Sequence, residues 1–383
     1  MNTRQPPPAP AAPSANPSRP RRTALAPLAT KPDFALCLER IEAWFHQAVL
    51  DRPPVRFYKH NAQFDAGQPL DRARWTSLEE RWFDTAYQIE SFEASLVGKT
   101  FHAETFPVFT PNLGPSVYSA FYAGRLEFAE TTSWYHPVLT DLDDLSVLHG
   151  DPFASPYFRN LEEQTRAALA RCGDRYWVGY TDLHPSLDCI AAWRGIDALC
   201  LDLADAPEQL APLVELSVRD FHRIFDHFDA MLQSAAQPSG TWINIPYRGK
   251  LHIPSCDVST MLSPAHFAEF SQPQLRRELV GMHRAIYHVD GRGVARHLDA
   301  ILAHPEIQAI QWVQGLGPDW PILQWLPLLR RILDAGKSVL VDVPGEELDE
   351  FMRLMPREGV FLCLGVPEGA EAATLARVAR WGK

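Results

Sequence analysis

Ala285-Ile286-Tyr287-His288-Val289-Asp290-Gly291 is an apolar run that ends in an imidazole, a carboxylate and a glycine. It reads as a buried strand that delivers its last side chains to one mouth of a sheet. Residues i and i+2 of a strand share a face, so His288 and Asp290 can converge on a common atom. Working outward, similar short runs recur: Tyr176 to Tyr180, Thr241 to Ile245, Ala309 to Trp312, Ser338 to Val341 and Gly359 to Leu364. Between them lie stretches with helical spacing at 207–233, 264–282, 294–303, 321–335 and 369–380. Repeated β–α units predict a parallel sheet, and six or more predict a doubly wound sheet or a closed barrel. Periodicity alone leaves both open.

Upstream, Asp33 to about Leu50 has helical spacing and Pro53-Pro54 breaks it before Val55 to Tyr58. Residues 76–96 suit another helix. Residues 1–32 hold nine prolines, five basic residues and no acid. Such a segment buries too little apolar surface to offset its ordering entropy, so it is expected as a disordered tail ahead of one domain over 33–383. At 383 residues, 46% of them hydrophobic, the chain supports a large core.

The net charge is −11 although the first 32 residues are basic, so the body is strongly acidic. That argues against a general nucleic-acid binder, which needs basic stripes. The six cysteines are scattered without a CxxC pair, as expected of a reducing cytoplasm. No apolar run approaches 18 residues, so no membrane-spanning helix is expected, and the N-terminus lacks the apolar core of a signal peptide.

Most polar candidates have more than one reading. His288 and Asp290 are metal ligands, a general base with its orienter, or a structural pair. Asp257 and Cys256 precede Ser263-Pro264, a good helix start, in a loop of the kind that carries substrate contacts. Asp182 and His184 follow the Tyr176–Tyr180 run and either move protons at the same mouth or merely solubilise it. Asn112, within Pro111 to Pro115, reaches substrate or closes a turn. Tyr180, Trp134 and Trp312 wall a pocket or fill the core. Arg292 pairs with a substrate carboxylate or stands solvated. Cys363, inside an apolar strand, is by default an inert buried thiol. His46, His60, His222, His227, His283 and His304 read as surface or capping residues.

Three blocks together resemble the uroporphyrinogen decarboxylase superfamily, which includes corrinoid:thiol methyltransferases. The first is Pro111-Asn112-Leu113-Gly114-Pro115 with Glu127 to Glu130 and Thr132-Ser133-Trp134. The second is His184 to Asp188, Trp193-Arg194-Gly195, Leu199 to Asp202 and Pro207-Glu208. The third is Asp257, Leu262 to Phe267, Phe270 and Tyr287 to Gly291. The match runs from about residue 100 to the end. It implies a (β/α)8 TIM barrel with its site at the C-terminal ends of the strands.

Zinc-dependent methyltransferases of this superfamily use a His-x-Cys pair and a cysteine on the last strand. His288 and Cys363 match; Asp290 stands at the middle position. The resemblance therefore implies a zinc site of His288, Asp290 and Cys363 that activates a thiol toward a methyl group from a corrinoid protein. The related methionine synthases place a Glu one strand later, where this chain has Gln311-Trp312. The Arg-Gln-Ala-Gly-Arg signature of the decarboxylases proper is absent, which argues against haem-pathway decarboxylation. Two other readings stand beside methyl transfer. One is metal-free acid/base chemistry on a carboxylated substrate by Asp257, Asp182, His184 and His288, with Asn112, Tyr180, Arg292, Trp312 and Cys256 as substrate contacts. The other is a ligand-binding barrel without chemistry.

Overall fold

A computed structural model describes residues 24–58 and 73–382. The described residues form ten strands: β1 (Val55–Phe57), β2 (Val108–Phe109), β3 (Arg125–Phe128), β4 (Ser133–His136), β5 (Trp177–Val178), β6 (Leu251–His252), β7 (Arg284–Asp290), β8 (Ala309–Val313), β9 (Ser338–Asp342) and β10 (Val360–Leu364). Six of them form a parallel sheet in the order β1-β10-β9-β8-β7-β6, curled into a half-barrel, and β2 pairs with β5 in a second parallel ladder. β3 and β4 form an antiparallel hairpin. The Glu104 N–H bonds Val55 O and the Tyr180 N–H bonds Gly240 O, carrying backbone contacts outward from both ladders.

Strand parity divides the core. Ile286, Ala309, Leu340, Phe361 and Cys363 point inward into one apolar cluster, whereas Tyr287, Val289, Ile310, Trp312, Val339 and Val341 point outward beneath the helices. Both faces are buried, the usual condition of a parallel sheet flanked by helices. The helix Phe34–Phe45 plugs the N-terminal end of the sheet: its Cys37, Leu38, Ile41, Trp44 and Phe45 join the inner cluster. The Trp44 indole N–H reaches Val339 O and Gly359 O at 3.1 Å each. The C-terminal ends of the strands lie at the opposite end.

Three expectations change. Residues 1–23, like His60, lie outside the described residues, but 24–32 do not behave as a tail. Leu28 and Lys31 are buried, and the Ala26 and Ala29 N–H groups bond Ala236 O and Asp174 O. Thr241 to Ile245 is a turn with Asn244 at φ 51°, not a strand; the strand at that place in the chain is β6. His304 is buried and faces Gln272 Oε1 at 2.5 Å, so it is neither a surface nor a capping residue. No described helix is long and apolar enough to cross a membrane.

Candidate functional site

β7 places Ile286, His288 and Asp290 on the inner face, the last two at its C-terminal end. Directly opposite His288 on β8 is Gln311, whose Oε1 lies 2.8 Å from His288 Nδ1. An amide oxygen only accepts, so Nδ1 carries the proton and Nε2 keeps its lone pair free. The Trp242 ring meets the imidazole edge-on at 5.1 Å. Asp257 opens a short 3-10 turn (Asp257–Met261) after β6. Its carboxylate, His288 and Asp290 have ligand atoms within 4.8 Å of one another.

The Asp257 turn is held from several sides. The Asp188 carboxylate accepts from the Asp257 and Val258 N–H groups at 2.9 and 2.8 Å. His297 Nε2 donates to Ser259 O at 2.9 Å, its ring stacked on Phe267. Gly293, in the turn of helix after β7, lies so near Thr260 that a Cβ there would sit 1.6 Å from Oγ1. We therefore expect Gly293→Ala to push the 257–261 turn away from β7. It should cost about 1–3 kcal/mol in denaturant titrations and separate Asp257 from His288 without altering either residue.

Charge is concentrated here. Asp257 reaches solvent at the rim, yet crowding by the protein and the Asp188 and Asp290 carboxylates push its carboxyl up to about 6, against the pull of His288 and His184. His184 Nε2 lies 2.6 Å from Asp182 Oδ1, and Nδ1 lies 3.0 Å from Ser255 Oγ. Burial opposes its charge, but Asp182, with Asp188 and Asp257 further off, lifts the imidazole to about 9. An acid poised near neutrality thus stands near a persistently cationic donor.

Behind this rim His252 and Glu278 are both buried, 3.0 Å apart. Burial lowers His252 to about 3 and raises Glu278 to about 8, so near neutral pH a protonated carboxyl donates to a neutral imidazole. Folding then binds one extra proton at Glu278 from pH 4.5 to 8 and one fewer at His252 from pH 3 to 6.5. These two effects cancel from about 4.5 to 6.5. Stability falls as pH rises from 6.5 through 8, and equally as it falls from 4.5 toward 3. Glu278→Gln should abolish the alkaline decline in a pH series of denaturation midpoints.

Several sequence candidates sit elsewhere. Cys363 faces the inner side but pairs in register with Arg56 and Asp342; it is not part of the three-residue group. Burial, opposed by Arg56, pushes its thiol up to about 12. Trp312 is fully buried on the outer face against Trp325, and Tyr180 is buried with its hydroxyl donated to Leu251 O. Both belong to the apolar core. Cys256 is buried 3.6 Å from Ser271 Oγ. Asn112 Oδ1 caps the Gly114 N–H at 2.8 Å, the turn reading. Arg292 is 72% exposed and pairs with Asp319. Trp134 is exposed on the hairpin. Sequence named Asp188 only within a family block and Gln311 only as the place of a missing Glu, and gave Trp242 and Ser255 no site role; strand parity alone could have set Gln311 beside His288.

No family model matches the chain, and no curated protein matches it in sequence. Among solved structures, a methyltransferase from Methanosarcina mazei superposes with a TM-score of 0.60 at 10% identity, over 90% of this chain and 98% of that one. The fold is methyltransferase-like. At that identity the likeness is one of architecture alone.

Proposed function

We propose that this chain is an enzyme of the uroporphyrinogen decarboxylase superfamily, its two parallel ladders forming one (β/α)8 barrel. It moves a methyl group from a corrinoid carried by a partner protein to a small thiol. The observation that carries the reading is the convergence of Asp257, His288 and Asp290 at the C-terminal strand ends. One imidazole and two carboxylates suit a divalent ion, zinc among them. Bound there, zinc would lower the pKa of an acceptor thiol, and two carboxylates leave it more positive than thiolate ligands do.

The chain's own groups do the rest. Gln311 fixes the His288 tautomer, Asp188 holds the Asp257 backbone, and the Asp182–His184 pair keeps a cationic donor at the same mouth, while the proton that the thiol loses passes to solvent. The six unpaired cysteines support a cytoplasmic setting.

The raised Asp257 beside His184 favours a second reading, metal-free acid/base catalysis on a carboxylated substrate. Elemental analysis of purified protein, with methylcobalamin and 2-mercaptoethanol as assay substrates, separates the two. Stoichiometric metal with cobalt demethylation is expected. Metal-free protein whose turnover of a carboxylated substrate fails in Asp257→Asn would replace methyl transfer by the second reading.

A further inference from the structure

A second set of polar side chains runs from β1 to the 241–244 turn beside His288. Arg56, on β1, faces inward level with Cys363 and Asp342. Its Nη1 donates to Ile243 O, which fixes the guanidinium against the 241–244 turn. The residues on either side of Ile243 are Trp242, whose ring touches His288, and Asn244, held at φ 51°.

Three buried atoms here have no hydrogen-bond partner: Arg56 Nε, Trp242 Nε1 and Asn244 Oδ1. Buried polar atoms are nearly always paired, and each exception calls for an explanation. Three exceptions on adjoining residues, one of them cationic, have a common explanation in a missing polar ligand. A non-glycine residue in the left-handed region at the same turn adds strain of the kind found at ligand clamps.

Two of the three atoms are N–H donors, and one belongs to a guanidinium. That combination selects an anionic oxygen pair. Trp242 spans the gap, with its N–H in this set and its ring on His288. We propose that Arg56 Nε and Trp242 Nε1 hold the carboxylate of a small acceptor substrate whose reacting end lies at the Asp257–His288–Asp290 group, with Asn244 Oδ1 accepting a polar hydrogen of the same molecule. The assignment rests on the methyl-transfer reading and names its substrate class: a thiol that carries a carboxylate. It also moves the anion contact from the exposed Arg292 to Arg56.

Calorimetric titration of the full chain with 3-mercaptopropionate and with its neutral amide tests this. The carboxylate should bind at least about tenfold more tightly than the amide in the wild type. Arg56→Gln should weaken the carboxylate by about tenfold to a hundredfold and leave the amide unchanged. Trp242→Phe, which keeps an aromatic ring and removes the N–H, should weaken it about fivefold. Equal binding of carboxylate and amide by the wild type, or an undiminished preference in folded Arg56→Gln, overturns the subsite. Should Arg56→Gln fail to fold by circular dichroism, Trp242→Phe decides by the same criterion. Metal content of the same samples keeps the two ideas apart. Metal retained without a carboxylate preference removes the subsite alone, and a carboxylate preference in metal-free protein removes the metal alone.

Discussion

Replacing Glu104 by alanine is expected to cost about 3–5 kcal/mol of folding stability, read as a lower denaturant midpoint. Glu104 is fully buried near the N-terminal plug. Its Oε2 accepts from Arg52 Nη1 at 2.7 Å and from the Val55 N–H at 2.6 Å. Its Oε1 accepts from Arg52 Nη2 at 3.1 Å and Arg40 Nη1 at 3.2 Å. One carboxylate thus neutralises two guanidinium groups that are 7% and 8% exposed and satisfies the first N–H of β1. Arg40 keeps Asp51 as a second partner; among the described residues Arg52 keeps Pro53 O besides its own backbone bonds. The alanine variant leaves a charge in the interior, where an uncompensated ion costs several kcal/mol. Glu104→Gln should recover the packing but not the charge and fall between the two. A loss below about 1 kcal/mol would mean that water reaches Arg52 and that the network contributes little. Metal content should not respond, because the site occupies the other end of the strands.

The sequence carried the strand rhythm well because strands buried on both faces are continuous apolar runs, and β7 to β10 fell where those runs lie. It failed at Thr241 to Ile245, where Trp, Ile and Ile resemble a strand but fold as a turn filling the inner face. Parity within one strand is legible, so His288 and Asp290 could be placed together. Distance across strands is not. β10 is three strands from β7 in the sheet order. At about 4.8 Å per strand that is roughly 14 Å along the curled sheet, and the group whose ligand atoms lie within 4.8 Å of one another is Asp257, His288 and Asp290, without Cys363. Asp257 fills the place because its loop is drawn in by Asp188, His297 and the missing side chain at Gly293. None of those contacts has a local sequence signal. Trp312 shows the reverse error, since His288 and Gln311 are in register, which puts Trp312 on the outer face.

His288→Ala is expected to weaken metal binding by about a hundredfold to a thousandfold, one ligand's share of a typical zinc affinity. Gln311→Leu should weaken it by about tenfold to a hundredfold, the usual cost of removing the group that orients a ligating imidazole. In the leucine variant Nδ1–H loses its 2.8 Å acceptor, so the ring can rotate and the proton can move to the nitrogen that must stay free. Gln311→Glu, which restores an acceptor, should recover most of the loss. A merely structural Gln311 would lower stability in the leucine variant without this rescue. Cys363→Ser and Asp257→Asn complete the set. Cys363 lies beside Arg56 and Asp342, so its serine variant should keep its metal, whereas Asp257→Asn should lose it as His288→Ala does. Competition with a chromophoric chelator measures all of these on one scale. Metal retained in Asp257→Asn and lost in Cys363→Ser would return the third ligand to the last strand and require that strand to move inward when the ion binds.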